Sequence, residues 1–210
     1  MKFPVTFLNY RSLHLISFIQ NTTCLEGLSD NEIMLRVKNG DLRKMDLLFK
    51  RHRDALFAFL FRMTGQREAS EDMTQNVFYR MIRSRHTFTG NGEFKTWMFH
   101  LARNVLKDHY RVSSRYGRVA DISDYDERIE SDVHTQGPVE KKEQLQLLQR
   151  AIQSLGNEDR EIIILSRFHE LKYHQVAQIM DMSVAAVKTR MHRSVAQLKS
   201  MFLKSGKHEM

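Results

Sequence analysis

A chain of 210 residues with 41% hydrophobic content is long enough for one large domain or two small ones with real cores. Lys and Arg (33) outnumber Asp and Glu (25) for a formal charge of +8, and the single cysteine, Cys24, excludes an intrachain disulfide and a cysteine-based zinc site. Two prolines and nine glycines leave room for long helices, strict apolar alternation is scarce, and no stretch approaches the roughly 20 apolar residues that span a bilayer. The composition predicts an all-α protein.

Residues 1–27 begin MKFPVTFLNYRSLHLISFIQ, moderately apolar but interrupted by polar residues and without a convincing cleavage site, so they read as a disordered extension. Ser29-Asp30-Asn31-Glu32 is a capping-box pattern ahead of Ile33. The residues through Thr64 read as two helices broken near Asn39-Gly40, with Leu47, Leu48, Phe57, Leu60 and Phe61 as their core. After Gly65-Gln66, Ala69 to Arg85 reads as one helix with Met73, Val77, Phe78 and Met81 inward. Glu68, Glu71 and Asp72 suit its positive N-terminus, and Arg80, Arg83 and Arg85 its C-terminal end.

A loop from Thr87 to Gly92 leads to a further helix from about Glu93. Phe88, Phe94, Trp97 and Phe99 cluster here, followed by Arg103, Asn104, Lys107, His109 and Arg111. Rings beside cations suit unstacked bases, each stacked base contributing about 1–3 kcal/mol. Leu101 and Val105 extend the stripe of Trp97 at i+4 and i+8, so Trp97 and Phe94 read equally well as core anchors. The rim of Arg103, Asn104, Lys107 and Arg111 is then the part that needs a partner.

From Ser113 to Glu143 large apolar residues are few. Asp121, Asp124, Asp126, Glu127, Glu130 and Asp132 crowd together, and Gly137-Pro138 closes the run. The formal charge is +9 over residues 1–118, −5 over 119–143 and +4 over 144–210. A low-hydrophobicity, charged segment cannot offset its ordering entropy by burial, so the sequence predicts an acidic flexible linker between two basic bodies. An acidic linker that only keeps two domains soluble would fit as well.

From Leu155 to Leu198 the pattern is helix, helix, tight turn, basic helix. Val176, Ala177 and Met180 form one apolar side before the turn Asp181-Met182-Ser183, and Ser183 stands at the N-cap. Val184, Val187, Met191, Val195 and Leu198 make the stripe of the last helix, and Lys188, Thr189, Arg190, His192 and Arg193 its opposite, basic face. A helix-turn-helix with such a second helix fits a major groove. Charge alone would also fit a helical hairpin with a solvated face. His169 and His174 lack carboxylates at ligand spacing, and no metal site is expected.

Two stretches resemble the extracytoplasmic-function (ECF) branch of the bacterial sigma-70 family. LGNEDREIIILSRFHELKYHQVAQIMDMSVAAVKTRMHRSVAQL is similar to region 4, and SEDMTQNVFYRMIRSRHTFTGNGEFKTWMFHLARNVLKDHYR (70–111) to regions 2.2 to 2.4. Gly156 replaces the family's usual proline, and Asp181 the usual glycine of the turn. The resemblance implies an N-terminal extension (1–27), a region 2 domain (28–112) binding core polymerase and the −10 element, a linker (113–139), and a region 4 helix-turn-helix domain (140–205) reading the −35 element. It places Asp72, Gln75 and Phe78 on the polymerase-docking helix. Phe88, Asn91, Phe94, Trp97, Arg103, Asn104, Lys107 and Arg111 fall at the −10 strand. Ser183, Lys188, Thr189, His192 and Arg193 go to the −35 element, with Arg190 nearer the phosphates. It implies a cytoplasmic initiation factor without cofactor or catalysis. Its partners would be core RNA polymerase, promoter DNA and, as a further candidate, an anti-sigma factor; the free chain would be monomeric. The alternative is a stand-alone helix-turn-helix regulator, which usually dimerises on a two-fold site, and no dimerisation element is apparent. An enzyme such as a nuclease is disfavoured: paired metal-binding carboxylates, a nucleophile–base pair and a phosphate-cradling loop are all lacking.

Overall fold

The computed structural model describes residues 27–115 and 147–205. The extension, most of the acidic linker and the first residues assigned to the C-terminal domain lie outside the described residues. Helix α1 (Asp30–Lys38) starts at the expected capping box: the Ser29 hydroxyl accepts the Glu32 N–H, and the Glu32 carboxylate accepts the Ser29 N–H at 2.8 Å. Gly40, at φ +107°, turns the chain into a short 3₁₀ turn (Leu42–Lys44) and then α2 (Met45–Thr64). Gly65 caps α2 in the left-handed conformation, its N–H bonded to the Phe61 carbonyl. Helix α3 (Arg67–Arg83) follows. A 3₁₀ turn (Arg85–Thr87) and a loop lead to α4 (Phe94–Arg115).

The predicted inward residues of α3, Met73, Val77, Phe78 and Met81, are all buried. On α2 the stripe is deeper than expected: Leu56 and Phe59 are completely buried, while Leu47 and Phe57 are only half-buried. Helix α4 outlasts the expected boundary at Ser113, since no glycine or proline interrupts it before Gly117. The Tyr110 hydroxyl, bonded to the Met63 carbonyl at 3.0 Å, ties its last turns to the end of α2.

Beyond residue 146 come a helix over 147–153 (α5), α6 (Asn157–Ile163), α7 (Tyr173–Met180) and α8 (Val184–Ser205). Helix α6 widens at its end into a π turn (Ile164–Phe168), closed by the His169 N–H on the Ile164 carbonyl five residues back. The two parts do not stand apart as separate bodies. They share one hydrophobic core, in which α4 packs along α7 and α2 meets α6 and the π turn. The apolar stripes of α2 and α4 are wider than their own half can cover, and Phe59 and Phe99 meet the C-terminal half through His169.

Candidate nucleic-acid interface

The helix-turn-helix is built locally. Asp181 takes φ 56° and ψ 51°, a left-handed conformation that glycine adopts most readily and Asp better than most other residues. Its N–H and that of Met182 satisfy the Ala177 carbonyl. Ser183 Oγ then accepts the Ala186 N–H at 3.1 Å, capping α8 as the sequence predicts. Val187 and Met191 bury the inner face of α8, with Val195 and Leu198 half-covered. Val184, read as the first member of that stripe, is instead 38% exposed because the first turn of α8 projects beyond the core. Lys188, Thr189, His192 and Arg193 are all exposed, and at i, i+1, i+4 and i+5 they share one face.

Arg190 does not join that face. It turns back to α6, with Nη2 2.7 Å from Glu158 Oε2 and Nη1 3.0 Å from Asp159 Oδ1. The expectation of an arginine directed at the phosphates meets one already paired with two carboxylates. This clamp fixes how α8 sits on α6.

In the N-terminal half the aromatic cluster is mostly interior. Phe88 and Phe94 are 2% and 1% exposed, with centroids 6.3 Å apart; Trp97 packs on both at 5.3 and 6.2 Å. Thus Phe88 and Phe94, expected at the −10 strand, are core residues, and only the half-buried Trp97 keeps an accessible edge. Trp97 Nε1 donates to Thr87 Oγ1 at 3.1 Å, so the indole also braces the loop. Asn31 holds the other end: its Nδ2 donates to the Gly92 carbonyl and its Oδ1 accepts the Phe94 N–H. Lys38 donates to the Phe88 carbonyl. Neither Asn31 nor Lys38 was assigned to the site, and a local pattern cannot reveal contacts made 50 to 63 residues away.

Asn91, Lys107 and Arg111 are exposed and Asn104 half-buried, so these four leave polar groups at the surface of the loop and α4. Arg111 also pairs with Asp108 at 3.0 Å. Arg103, expected beside them on the rim, is 8% exposed and lies in the joint between the halves. Its Nε sits 3.0 Å from Glu161 Oε1 and hydrogen-bonds Oε2 at 3.2 Å. On α3, Asp72 and Gln75 are exposed, whereas Phe78 is buried and its ring lies 4.8 Å from that of Phe49. Phe78 therefore lies beneath the exposed face that Asp72 and Gln75 share. Tyr79, 56% exposed and one turn beyond Gln75, brings an aromatic ring to the same side of α3.

The joint carries a perturbed histidine. His169 lies 4.7 Å from the Phe99 ring and 6.0 Å from Phe59. Burial, helped by Arg62 and Lys95, lowers its pKa from 6.5 to about 4. A folded-state pKa below the unfolded one means stability that is complete above pH 6.5 and declines as pH falls toward 4. Between pH 7.5 and 5 this one group should cost about 2 kcal/mol. Urea titrations at both pH values should show His169→Leu losing less stability than wild type by about that amount. Equal losses would mean that the imidazole is solvated.

Two family models match in the order the fold presents them: "Sigma-70 region 2" over residues 48–116 and "Sigma-70, region 4" over 145–198. Among curated relatives, the ECF RNA polymerase sigma-E factor of Escherichia coli K12 is 27% identical over 180 residues, covering 80% of this chain and 92% of that protein. The chain belongs to the ECF branch of the sigma-70 family. The RNA polymerase sigma-H factor of Pseudomonas aeruginosa is 26% identical to this sigma factor over 172 residues, 79% of the chain and 89% of the relative. Its fold matches that of CnrH, solved in complex with the cytosolic domain of CnrY (TM-score 0.62, 20% identity, 82% of this chain and 96% of that one). It also matches that of the sigma factor RpoE from Bartonella quintana, solved with the anti-sigma factor NepR (TM-score 0.61, 21% identity, 75% and 95%). Among the described residues of this sigma factor, no helix is long and apolar enough to cross a membrane.

Proposed function

We propose that this ECF sigma factor binds core RNA polymerase, recognises the −35 and −10 promoter elements and starts transcription without catalysing a reaction of its own. The observation that carries the reading is the exposed quartet Lys188, Thr189, His192 and Arg193 on a capped helix-turn-helix, in a chain that also carries region 2. Residues 28–112 and 140–205 are the working domains, and 113–139 is the tether. The protein acts in the cytoplasm, where its polymerase and promoters are. An anti-sigma factor is a candidate partner, since both solved folds named above were captured with a second protein.

Within the N-terminal half, Asp72 and Gln75 belong to the polymerase-docking surface, with Tyr79 beside them. Asn91, Asn104, Lys107 and Arg111, with the edge of Trp97, face the −10 strand. The −35 element is read by the quartet on α8, with Ser183 at its start. Run-off transcription with purified core polymerase on genomic promoter fragments tests the whole reading. A stand-alone regulator or a nuclease would give no new start sites.

The same system separates the two surfaces. Asp72→Ala or Gln75→Ala should weaken co-purification with core polymerase several-fold. Asn104→Ala or Lys107→Ala should leave it intact and reduce the permanganate reactivity of −10 thymines. Failure of both sets at the same step would sink the division.

A further inference from the structure

Between α2, α4 and the chain that leaves the π turn lies a cavity of about 140 Å³. From α2 it is lined by Arg51, His52 and Ala55, at i, i+1 and i+4, and from α4 by Lys95, Met98 and Phe99, at i, i+3 and i+4. His169 closes it. Two local irregularities set that ring in place. The π turn ends on the His169 N–H, and Glu170 then takes φ 57°, after which the Leu171 N–H returns to the Leu165 carbonyl at 3.1 Å. A plain helix end needs neither departure, and such departures gather at functional sites.

Arg51, His52, Lys95 and His169 bring basic nitrogen to this cavity, and no carboxylate lines it. Folding accounts for two of them: Asp30, outside the lining, pairs with Arg51 Nη1 at 2.9 Å and His52 Nε2 at 2.7 Å. It does not account for the others. Lys95 is exposed, with no ion pair or hydrogen bond to its ammonium among the described residues. His169 Nε2 is buried without a hydrogen-bond partner. Burial holds both imidazoles below their ordinary pKa, and the Lys95 charge pushes each in the same direction. The ammonium therefore acts on the cavity from above both rings. Arg62 adds to the positive field at His169.

We propose that this cavity binds one phosphate-sized oxyanion, free or as the end group of a small phosphomonoester, held by Lys95 with Arg51 beside it and the His169 ring as its wall. A partly desolvated cavity of positive potential with unpartnered donors is matched by a small anion, because each charge-assisted hydrogen bond is stronger there than in water. The size agrees. A cavity of roughly 150 Å³ takes a benzene ring, so this one has room for a tetrahedral oxyanion and not for a nucleotide. A peptide is a poorer occupant, since none of the exposed large apolar residues, from Leu42 to Val184, lines the cavity to continue a groove. Promoter DNA is a poorer one too: Asn91, Asn104, Lys107 and Arg111 all lie outside the lining. The site goes beyond promoter recognition and is tested without polymerase.

The probe is sulfate, which stays a dianion across the useful pH range, added to the full-length chain with ionic strength held constant by chloride. NMR of the histidine rings reports binding, the His169 signal being the one that His169→Gln removes. Sulfate should shift the His169 and His52 signals saturably, with a Kd below about 1 mM. An anion beside the ring favours its charged form, so near about pH 5 sulfate should protonate His169, which is otherwise held neutral by a pKa of about 4. Lys95→Gln should weaken binding by about tenfold at unchanged Tm, since the ammonium is exposed and unpaired, and Lys95→Arg should restore it. Inorganic phosphate and glycerol 3-phosphate then separate the two sources: tighter binding of the ester identifies a small phosphomonoester, equal or weaker binding the free ion. Shifts that chloride reproduces would reduce the effect to screening and overturn the site, as would a Kd unchanged in Lys95→Gln. A −10 strand oligonucleotide that moves both signals where sulfate moves neither would give the cavity to DNA and end the proposal.

Discussion

Phe94→Ala should lower the stability of the N-terminal half by about 3–5 kcal/mol, the usual cost of emptying a buried phenylalanine site. For a fold of this size that corresponds to a fall in Tm of roughly 6–20 °C. The ring sits at the start of α4 between Phe88, Trp97 and His52, whose imidazole is 5.1 Å away and bonded to Asp30 at 2.7 Å. Removing it frees the loop that Asn31 and Lys38 hold at its two ends. Promoter melting should fail as a consequence, and Phe94→Leu should recover most of both properties. Trp97→Ala should behave differently, impairing permanganate reactivity of the −10 strand at a smaller cost in Tm, because part of the indole faces solvent. Thermal melts alongside footprinting decide between the roles. A Phe94→Ala protein with unchanged Tm and no strand opening would make Phe94 a DNA contact.

What the sequence revealed and what it hid divide along the range of the interaction. The Ser29–Glu32 box, the break at Gly65, the turn at Asp181 and the cap at Ser183 each involve residues within four positions of one another. Their chemistry is complete in a short window, and all were legible. The inward face of α3 was legible for the same reason, since a helical stripe repeats locally. Partners of charged groups were not. Arg103 and Arg190 look alike in sequence to Lys107 and Arg193, but their acids lie 58 and 31 residues away. A free cation and a neutralised one therefore read identically. Aromatic residues stayed ambiguous by a related route: Phe78, Phe88 and Phe94 each carry the character of a core residue and of a binding surface, and only packing from another helix decides that all three are buried. The joining of the two halves was hidden most completely, because the acidic run between them argues for separation while the residues that unite them are scattered from Glu93 to Gln175.

On the proposed reading, α8 divides its labour in a way that base-by-base binding can expose. Arg193→Ala should relax preference at one or two positions of the −35 element, losing about 1–3 kcal/mol of discrimination there, since a planar guanidinium can donate to both guanine O6 and N7. Lys188→Ala should have a shallower effect on preference, a flexible ammonium being a less selective reader. Arg190→Ala should weaken binding to every sequence alike, and for a reason other than a lost phosphate contact. Its guanidinium bridges Glu158 and Asp159, so its removal lets α8 shift on α6 and leaves two carboxylates unpaired near the DNA. A lost phosphate contact would flatten the dependence of log affinity on log salt by roughly 0.9 per charge. A lost clamp should leave that slope nearly unchanged while lowering Tm. Because Glu158 is more exposed than Asp159, Asp159→Asn should reproduce more of the effect than Glu158→Gln. The measurement is binding of the full chain, with core polymerase, to a library of single base changes in the −35 element at two salt concentrations. Identical base preferences in wild type and Arg193→Ala would remove Arg193 from the reading set. A flattened salt slope with unchanged Tm in Arg190→Ala would return Arg190 to the phosphates, and the clamp would then be a feature of the DNA-free state alone.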